Sequence, residues 1–255
     1  MSELHKFLFD GLPVRGMIVR LTDAWKDILQ RRASNTDTGA YPAAVRELLG
    51  EMAAASVLMQ SNIKFNGALV FQIFGDGPVK VAVAEVQSNL ALRATASVHG
   101  AVPAGAELAE LVNLQGGGRC AITLDPKDRL PGQQPYQGVV PLQGMDGEPF
   151  EKISEVLQHY MRQSEQLDTC IVLAANDEVA AGLMIQRMPL KGQDNLAGAT
   201  ESRQDEQDAI GASEDYNRIA TLAASLTRDE LLGLDVDTIL RRLFWEEKLL
   251  RFVPQ

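Results

Sequence analysis

The chain has 255 residues, of which 45% are hydrophobic and 23% charged, and its formal net charge is −10. This composition is typical of a globular protein. The negative charge argues against nucleic acid as a partner, because no Lys/Arg cluster extends beyond the pairs 31–32 and 241–242. No stretch reaches the roughly 18 uncharged apolar residues of a membrane span, and the start of the chain lacks the apolar core of a signal peptide. We therefore expect a cytoplasmic protein with neither nucleic acid nor membrane as a partner.

The first 60 residues predict one strand and two helices. Val14–Leu21 is typical of a strand, and Thr22 or Asp23 is placed to cap the helix that follows. A second helix is predicted from Pro42, which suits a first helical turn, to about Gln60. Its apolar residues recur at helical spacing and three alanines fill the gaps between them, so we expect a helix buried on all sides.

The middle of the chain predicts strands interleaved with short helices. Residues 68–86 form two strand-like runs around Gly75, Asp76 and Gly77, a pattern that predicts a β-hairpin. Further strands and helices are predicted as follows: strands near 90–100, 119–125, 136–142, 169–175 and 180–188, and helices near 106–112 and 148–166. Strands adjacent in sequence, with helices between some of them, indicate an α+β fold with a mixed sheet.

The character of the sequence changes after Pro189. Between Asp194 and Asp215 there are seven acidic residues and one arginine, with few large apolar groups. This composition predicts an acidic, flexible linker over 191–213, because such a segment offers little surface to bury. The predicted domains are therefore an α+β core at 1–190, this linker, and a helical region at 214–255.

Three short amphipathic helices are predicted in the helical region. Thr227 and Glu230 fit a capping box, and Asp235 or Asp237 is placed to cap the last helix. The helices need a surface to lie on, which could be the first domain, a partner subunit or a further segment. Residues 249–253 then predict an extended segment, whose strand partner the local sequence does not reveal.

The sequence offers no recognisable catalytic site. The three glycines at 116–118 match neither a dinucleotide fingerprint nor a P-loop, and Ser164 and Glu165 diverge by about 100° on a helix. Cys120 and Cys170 lie in apolar, strand-like runs, which favours buried free thiols over a disulfide or a metal site. We expect no enzyme, and neither a catalytic residue, a metal ligand nor a cofactor in this chain.

Several stretches together resemble one protein family, the redox-regulated bacterial chaperone known as heat-shock protein 33. Each stretch is weak alone, but their order and spacing over most of 12–189 are specific. They are PVRGMIVRL near the start, the run at 48–79, PYQGVVPLQG at 135–144, YMRQSEQLDT at 160–169 and AAGLMIQRMP at 180–189. LRRLFWEEKLLRF near the end also resembles the family's approach to its C-terminal switch.

The resemblance implies a mixed β/β/α core domain, a helical linker region and a small zinc domain. In that family four cysteines bind zinc as thiolates, oxidants convert them to disulfides, and exposed apolar surface then holds unfolding proteins without ATP. Activation is associated with dimerisation.

The resemblance also implies that the family's zinc ligands lie beyond Gln255. Cys120 and Cys170 match none of the four ligands. We therefore expect a chain truncated before the zinc domain, which lacks the redox switch and holds clients constitutively.

The hypothesis is an ATP-independent holdase whose partners are unfolding client proteins and, in a homodimer, a second copy. The candidate client or dimer surface lies on or beneath the terminal helices, and we expect these helices to cross onto the other subunit. Its residues are Leu222, Leu226, Leu240, Leu243 and Phe244. Two alternatives stay open at this point: a dimerisation or regulatory module without client binding, and an enzyme with an unrecognised site.

Overall fold

The structure, a computed structural model, describes residues 1–128, 132, 134–189 and 203–253, with the backbone alone from 203 to 210. Its helices are α1 (Asp23–Ala33), α2 (Ala43–Asn62), α3 (Leu108–Val112), α4 (Ile153–Ser164), α5 (Arg203–Ala224), α6 (Arg228–Gly233) and α7 (Val236–Phe244). Its strands are β1 (Glu3–Phe9), β2 (Val14–Leu21), β3 (Gly67–Phe74), β4 (Val79–Gln87), β5 (Leu92–Val98), β6 (Arg119–Pro126), β7 (Tyr136–Pro141), β8 (Thr169–Ala175), β9 (Ala180–Arg187) and β10 (Leu249–Arg251).

The strands form two five-stranded sheets. The first sheet has the order β10-β1-β2-β9-β8, and the second has the order β5-β4-β3-β6-β7. The α+β class is confirmed, but every strand pair that the structure describes is antiparallel, whereas the sequence predicted a mixed sheet. Short connections between neighbours such as β3 and β4 or β8 and β9 can only join antiparallel strands, which explains the difference.

Helix α2 lies between the two sheets and contacts both. The predicted burial on all sides is confirmed, since Ala53, Ala54 and Ala55 have almost no exposed surface. Close approach to the first sheet depends on Gly50, where a Cβ would lie 2.4 Å from the Cβ of Ala175. A larger residue at this position would separate α2 from β8.

The inner face of the first sheet packs on α2, and its outer face packs on α5, α6 and α7. The order of layers is thus a helical layer, the first sheet, α2 with α4, and the second sheet. Of the three surfaces that the sequence allowed for the terminal helices, the structure shows the first domain. The structure is of a single chain, whose own apolar face accepts these helices, and the prediction that they cross onto a partner subunit stays a prediction.

The structure differs from the predicted linker over part of its length. Residues 191–202 lie outside the described residues, but from Arg203 onward the chain is helical. The prediction of a flexible linker considered only how little apolar surface the segment offers for burial. It did not consider helix propensity, and Gln, Glu and Ala favour helix although they are polar or small. Further along, Tyr216, Ile219 and Ala223 recur at helical spacing and are buried against the sheet.

The extended segment near the end of the chain pairs with a strand near its start. In β10, Leu249 lies opposite Phe9 and Arg251 lies opposite Phe7, in antiparallel register. The amide of Asp10 donates to the carbonyl of Lys248 at 2.9 Å. Strand β1 was not predicted from the sequence, and it supplies the partner that the extended segment required.

Candidate functional site

The outer face of the first sheet is continuous and apolar. It is formed by alternate residues of β1, β2, β8 and β9, because successive side chains of a strand point to opposite faces. We call it the apolar face, and its residues are Phe7, Phe9, Val14, Ile18, Ala174, Ala181, Leu183 and Ile185. Each of them is at most 2% exposed. This burial depends on the helices that lie on the face.

Helices α5, α6 and α7 together form what we call the helical cover. Their buried side chains meet the apolar face in one hydrophobic cluster, separate from the larger cluster around α2. The ring of Phe244 packs edge-on against Phe9, with 5.0 Å between centroids, and lies 6.2 Å from Phe7. Phe244 therefore joins the cover to the strand β1 that also pairs with β10.

Four of the five residues predicted as a client or dimer surface lie between the cover and the sheet. Leu226, Leu240, Leu243 and Phe244 are between 2% and 5% exposed, so none of them forms free surface in this conformation. Leu222 is 37% exposed and points away from the cluster. The helical stripe of α5 instead runs through Tyr216, Ile219 and Ala223, which periodicity alone did not distinguish from one containing Leu222.

Two arginines attach helix α6 to the rest of the molecule. Arg20, on β2, donates to the carbonyls of Leu231 and Leu232 at 2.7 and 3.1 Å, where the helix C-terminus favours a cation. Arg228 donates to the carbonyl of Ala175 at 2.6 Å and lies 3.2 Å from the carboxylate of Glu47 on α2. Both contacts cross from the cover to the core.

The cover also has local polar contacts of its own. The predicted capping box is confirmed, since Thr227 and Glu230 each accept from the other's backbone amide. Asp235 caps α7 by accepting from the amide of Thr238 at 2.9 Å. Arg242 pairs with Glu230 at 2.7 Å, which ties α7 to α6. The cover is thus a folded unit whose apolar side is complementary to the sheet.

A partly buried carboxylate, that of Glu51, lies near the point where Arg228 reaches α2. Burial raises the pKa of Glu51 to about 7, although the positive charge of Arg228 acts to lower it. Glu47 and Lys152 also face this carboxylate, with opposite effects. A cleft of about 150 Å³ opens here, lined by Glu51, Lys152 and residues of α2 and α3. The sequence did not single out Glu51, because its pKa depends on three separate segments.

The two cysteines lie on different sheets and form no common site. Cys120 is fully buried on the inner side of the second sheet, whereas Cys170, on β8, lies against α5 with its Sγ 3.6 Å from the carbonyl of Ala220. Within the part of the chain that the structure describes, no cluster of three or more His, Cys, Asp or Glu side chains could hold a metal ion. The cysteine pair does not fit a zinc site with four thiolates.

The expected position of the family's zinc ligands, beyond Gln255, stays a prediction. The described residues end at Val253, so Gln255 itself lies outside them. The expectation that the chain is truncated before a zinc domain is likewise untested by this structure.

None of the described helices is long and apolar enough to span a membrane. The apolar α2 has 20 residues, but it includes Arg46, Glu47 and Glu51. Its apolar residues are accounted for by contact with the two sheets.

Comparison with known proteins agrees with the fold and with the ordered motifs. The model of the family described as Hsp33 protein matches residues 2–255, almost the whole chain. This chain belongs to the Hsp33 family. The resemblance expected from the sequence motifs is therefore confirmed, and a chaperone role follows from membership of the family.

Individual relatives support the same assignment. The chain is 42% identical to a 33 kDa chaperonin of Chromobacterium violaceum over 248 residues, which cover 97% of this chain and 72% of that protein. It is also 42% identical to a 33 kDa chaperonin of Neisseria meningitidis, with 98% and 71% of the two chains covered. The crystal structure of the 33 kDa chaperonin from Thermotoga maritima matches with a TM-score of 0.67 at 19% identity, covering 98% of this chain and 78% of that chain. That similarity shows the fold.

Proposed function

We propose that this protein is an ATP-independent holdase of the cytoplasm, which binds unfolding proteins through the apolar face after the helical cover moves away. The observation that supports this proposal is the match between the cover and the face. A continuous apolar sheet surface, which a chaperone can use, is concealed by three helices that pack on it through apolar side chains. No enzymatic step is part of the proposal.

The energy of client binding comes from apolar burial. Covering roughly 600 Å² of apolar surface contributes on the order of 15 kcal/mol before costs, at about 25 cal/mol per Å². Association and ordering remove much of this gain. The remainder is sufficient for useful affinity without a specific pocket, which suits a protein that must accept many unfolded sequences.

The cover is built so that it can leave the sheet while the core stays folded. Helix α6 has six residues and α7 has nine, and helices of this length are unstable in water without tertiary contacts. The core beneath keeps its own hydrophobic cluster around α2. We propose that loss of the cover exposes Phe7, Phe9 and Ile18 together with the apolar stripe of the cover itself.

A homodimer also remains part of the proposal. Leu222 and Trp245 are exposed on the cover, with Trp245 74% exposed, and they supply apolar surface for contact with a second copy. Unfolding client proteins would compete for the same kind of surface.

The holdase proposal predicts that the purified protein suppresses aggregation of a heat-unfolding client. Light scattering by the client should fall at near-equal molar ratios, and omission of ATP should make no difference. Bovine serum albumin at the same concentration is the control for crowding. Undiminished scattering would instead favour a dimerisation or regulatory module that binds no clients.

A second prediction concerns redox control by the thiols of this chain. Burial raises the pKa of Cys120 to about 12 and that of Cys170 to about 11, so both stay protonated and react slowly at neutral pH. Peroxide should therefore leave client holding by this chain unchanged. The matched control is a Cys120→Ser, Cys170→Ser variant, assayed with and without peroxide. Holding that appears only after oxidation, and only in the parent, would refute this prediction.

A further inference from the structure

Strand β10 is attached to the first sheet by its backbone and by three side chains. The amide of Phe252 donates to the carbonyl of Lys6 at 2.9 Å, four residue pairs along from the bond between Asp10 and Lys248. Hydrogen-bonded and non-hydrogen-bonded residue pairs alternate along antiparallel strands. Leu8 and Leu250 therefore form the hydrogen-bonded pair midway between these two bonds. Only Leu249 packs partly into the hydrophobic cluster, whereas Leu250 and Phe252 are 44% and 53% exposed.

Two acidic side chains of the core and the cover form ion pairs with the two basic residues of this segment. Lys248 pairs with Asp10 at 2.7 Å, and Arg251 pairs with Asp237 at 2.5 Å. Arg251 also contacts His5 at 3.0 Å. The docked segment is therefore extended, with an apolar residue facing the sheet between two basic residues. Its side-chain contacts are few for an element that completes a sheet.

We propose that the edge of β1 is a docking site for an extended segment of a client protein, and that β10 occupies it until a client displaces it. The chain's own segment 248–253 shows the chemistry of the occupant: a basic residue, an apolar residue toward Phe9 and Phe244, and a second basic residue near Asp237. Addition of a strand to a sheet edge uses main-chain hydrogen bonds, so it tolerates many sequences. The inference rests on the proposed holdase function and specifies which client segments bind.

The site lies next to the apolar face. Phe7 and Phe9 pack against Phe244 on that face, while the backbone of the same strand carries the edge that accepts β10. A client strand paired with β1 would therefore lie beside the apolar face, which becomes exposed when the cover moves away. Opening of the cover also removes Asp237 from Arg251, which weakens the hold on β10.

A trans-peptide experiment tests the site without relying on chaperone activity. Leu250→Pro removes the amide that pairs with Leu8, whereas Leu250→Ala keeps it and changes the same exposed side chain. A fluorescent peptide with the sequence 248–253 should bind the proline variant at least tenfold more tightly than the alanine variant or the parent. A peptide with aspartate in place of Leu249 should bind none of them. Equal binding by the two variants, with circular dichroism showing both folded, would overturn the proposal.

An engineered disulfide between β1 and β10 provides a second test in case the proline variant does not fold. Leu8→Cys with Leu250→Cys places two thiols on a hydrogen-bonded pair about 5.5 Å apart at Cα, within the range of a disulfide. The oxidised form should lose at least half of the client holding, and dithiothreitol should restore it. Equal holding by both forms would overturn the docking site and leave the holdase function standing. Absence of holding in the parent as well would contradict the holdase function, and peptide binding would still decide the site.

Discussion

Replacement of Phe244 by alanine is expected to loosen the helical cover and to increase client holding several-fold. The Phe244 ring is 2% exposed and packs against both Phe7 and Phe9. Loss of a buried phenylalanine typically costs about 3 to 5 kcal/mol. Because this contact lies between the cover and the sheet, the cost falls on attachment of the cover, while the cluster around α2 is untouched. The prediction is checked by hydrogen exchange of the α7 amides together with the light-scattering assay.

Arg241→Ala is the matched control for that experiment. Arg241 lies on the same helix as Phe244 but is exposed, so its removal should change stability by less than about 0.5 kcal/mol and leave both readouts near those of the parent. Faster exchange in α7 of the Phe244 variant without any gain in holding would mean that the apolar face is not the client surface.

Replacement of Glu51 by glutamine is expected to stabilise the protein at pH 8 and to have little effect near pH 4.5. Burial raises the pKa of Glu51 from 4.5 to about 7 in the folded protein. A raised folded pKa contributes stability that is complete below pH 4.5 and is lost as the pH rises to about 7. At about 1.4 kcal/mol per pKa unit, this loss amounts to about 3 kcal/mol at most.

The glutamine side chain does not ionise, so the variant should keep this part of its free energy of unfolding as the pH rises. Urea unfolding from pH 4.5 to 8 should show a free-energy difference between variant and parent that grows with pH by about 2 to 3 kcal/mol. The same charged residues face position 51 in both proteins, so their contributions to the free energy of unfolding are largely shared. They are Arg228, Glu47 and Lys152. Glu148→Gln removes an exposed carboxylate and serves as the control, with no comparable growth expected. A constant difference across this range would show that folding leaves the pKa of Glu51 unchanged.

The position of Glu51 shows why the sequence missed a carboxylate with a strongly raised pKa. Along α2 it looks like an ordinary glutamate near Glu47. Its pKa is set by burial and by Arg228 and Lys152, which come from α6 and from the start of α4. No local pattern records that these segments meet. By contrast, the capping box of Thr227 and Glu230 was predicted correctly, because both partners lie within one turn.

The edges of the first sheet show the same limit at larger scale. The sequence predicted that residues 249–253 are extended, but the partner strand β1 lies about 240 residues away along the chain. Such a pair carries no periodic or turn signal, since each strand is short and its register depends on the other. The sequence also did not show which of Leu226 and Leu222 is buried, because both fit a helical stripe. Packing against the sheet buries Leu226 and leaves Leu222 exposed.

The sequence by itself determined the β3–β4 hairpin, the buried helix α2, the caps of α6 and α7 and, through its ordered motifs, the family. These features depend on period, turn chemistry and capping within a few residues, which a single sequence displays directly. Only the tertiary structure decided that the helices cover the sheet of their own chain, that β10 completes that sheet, and that Leu226, Leu240, Leu243 and Phe244 are concealed. The reason is physical: burial and strand pairing are properties of two surfaces in contact, and each surface is built from segments far apart in the chain.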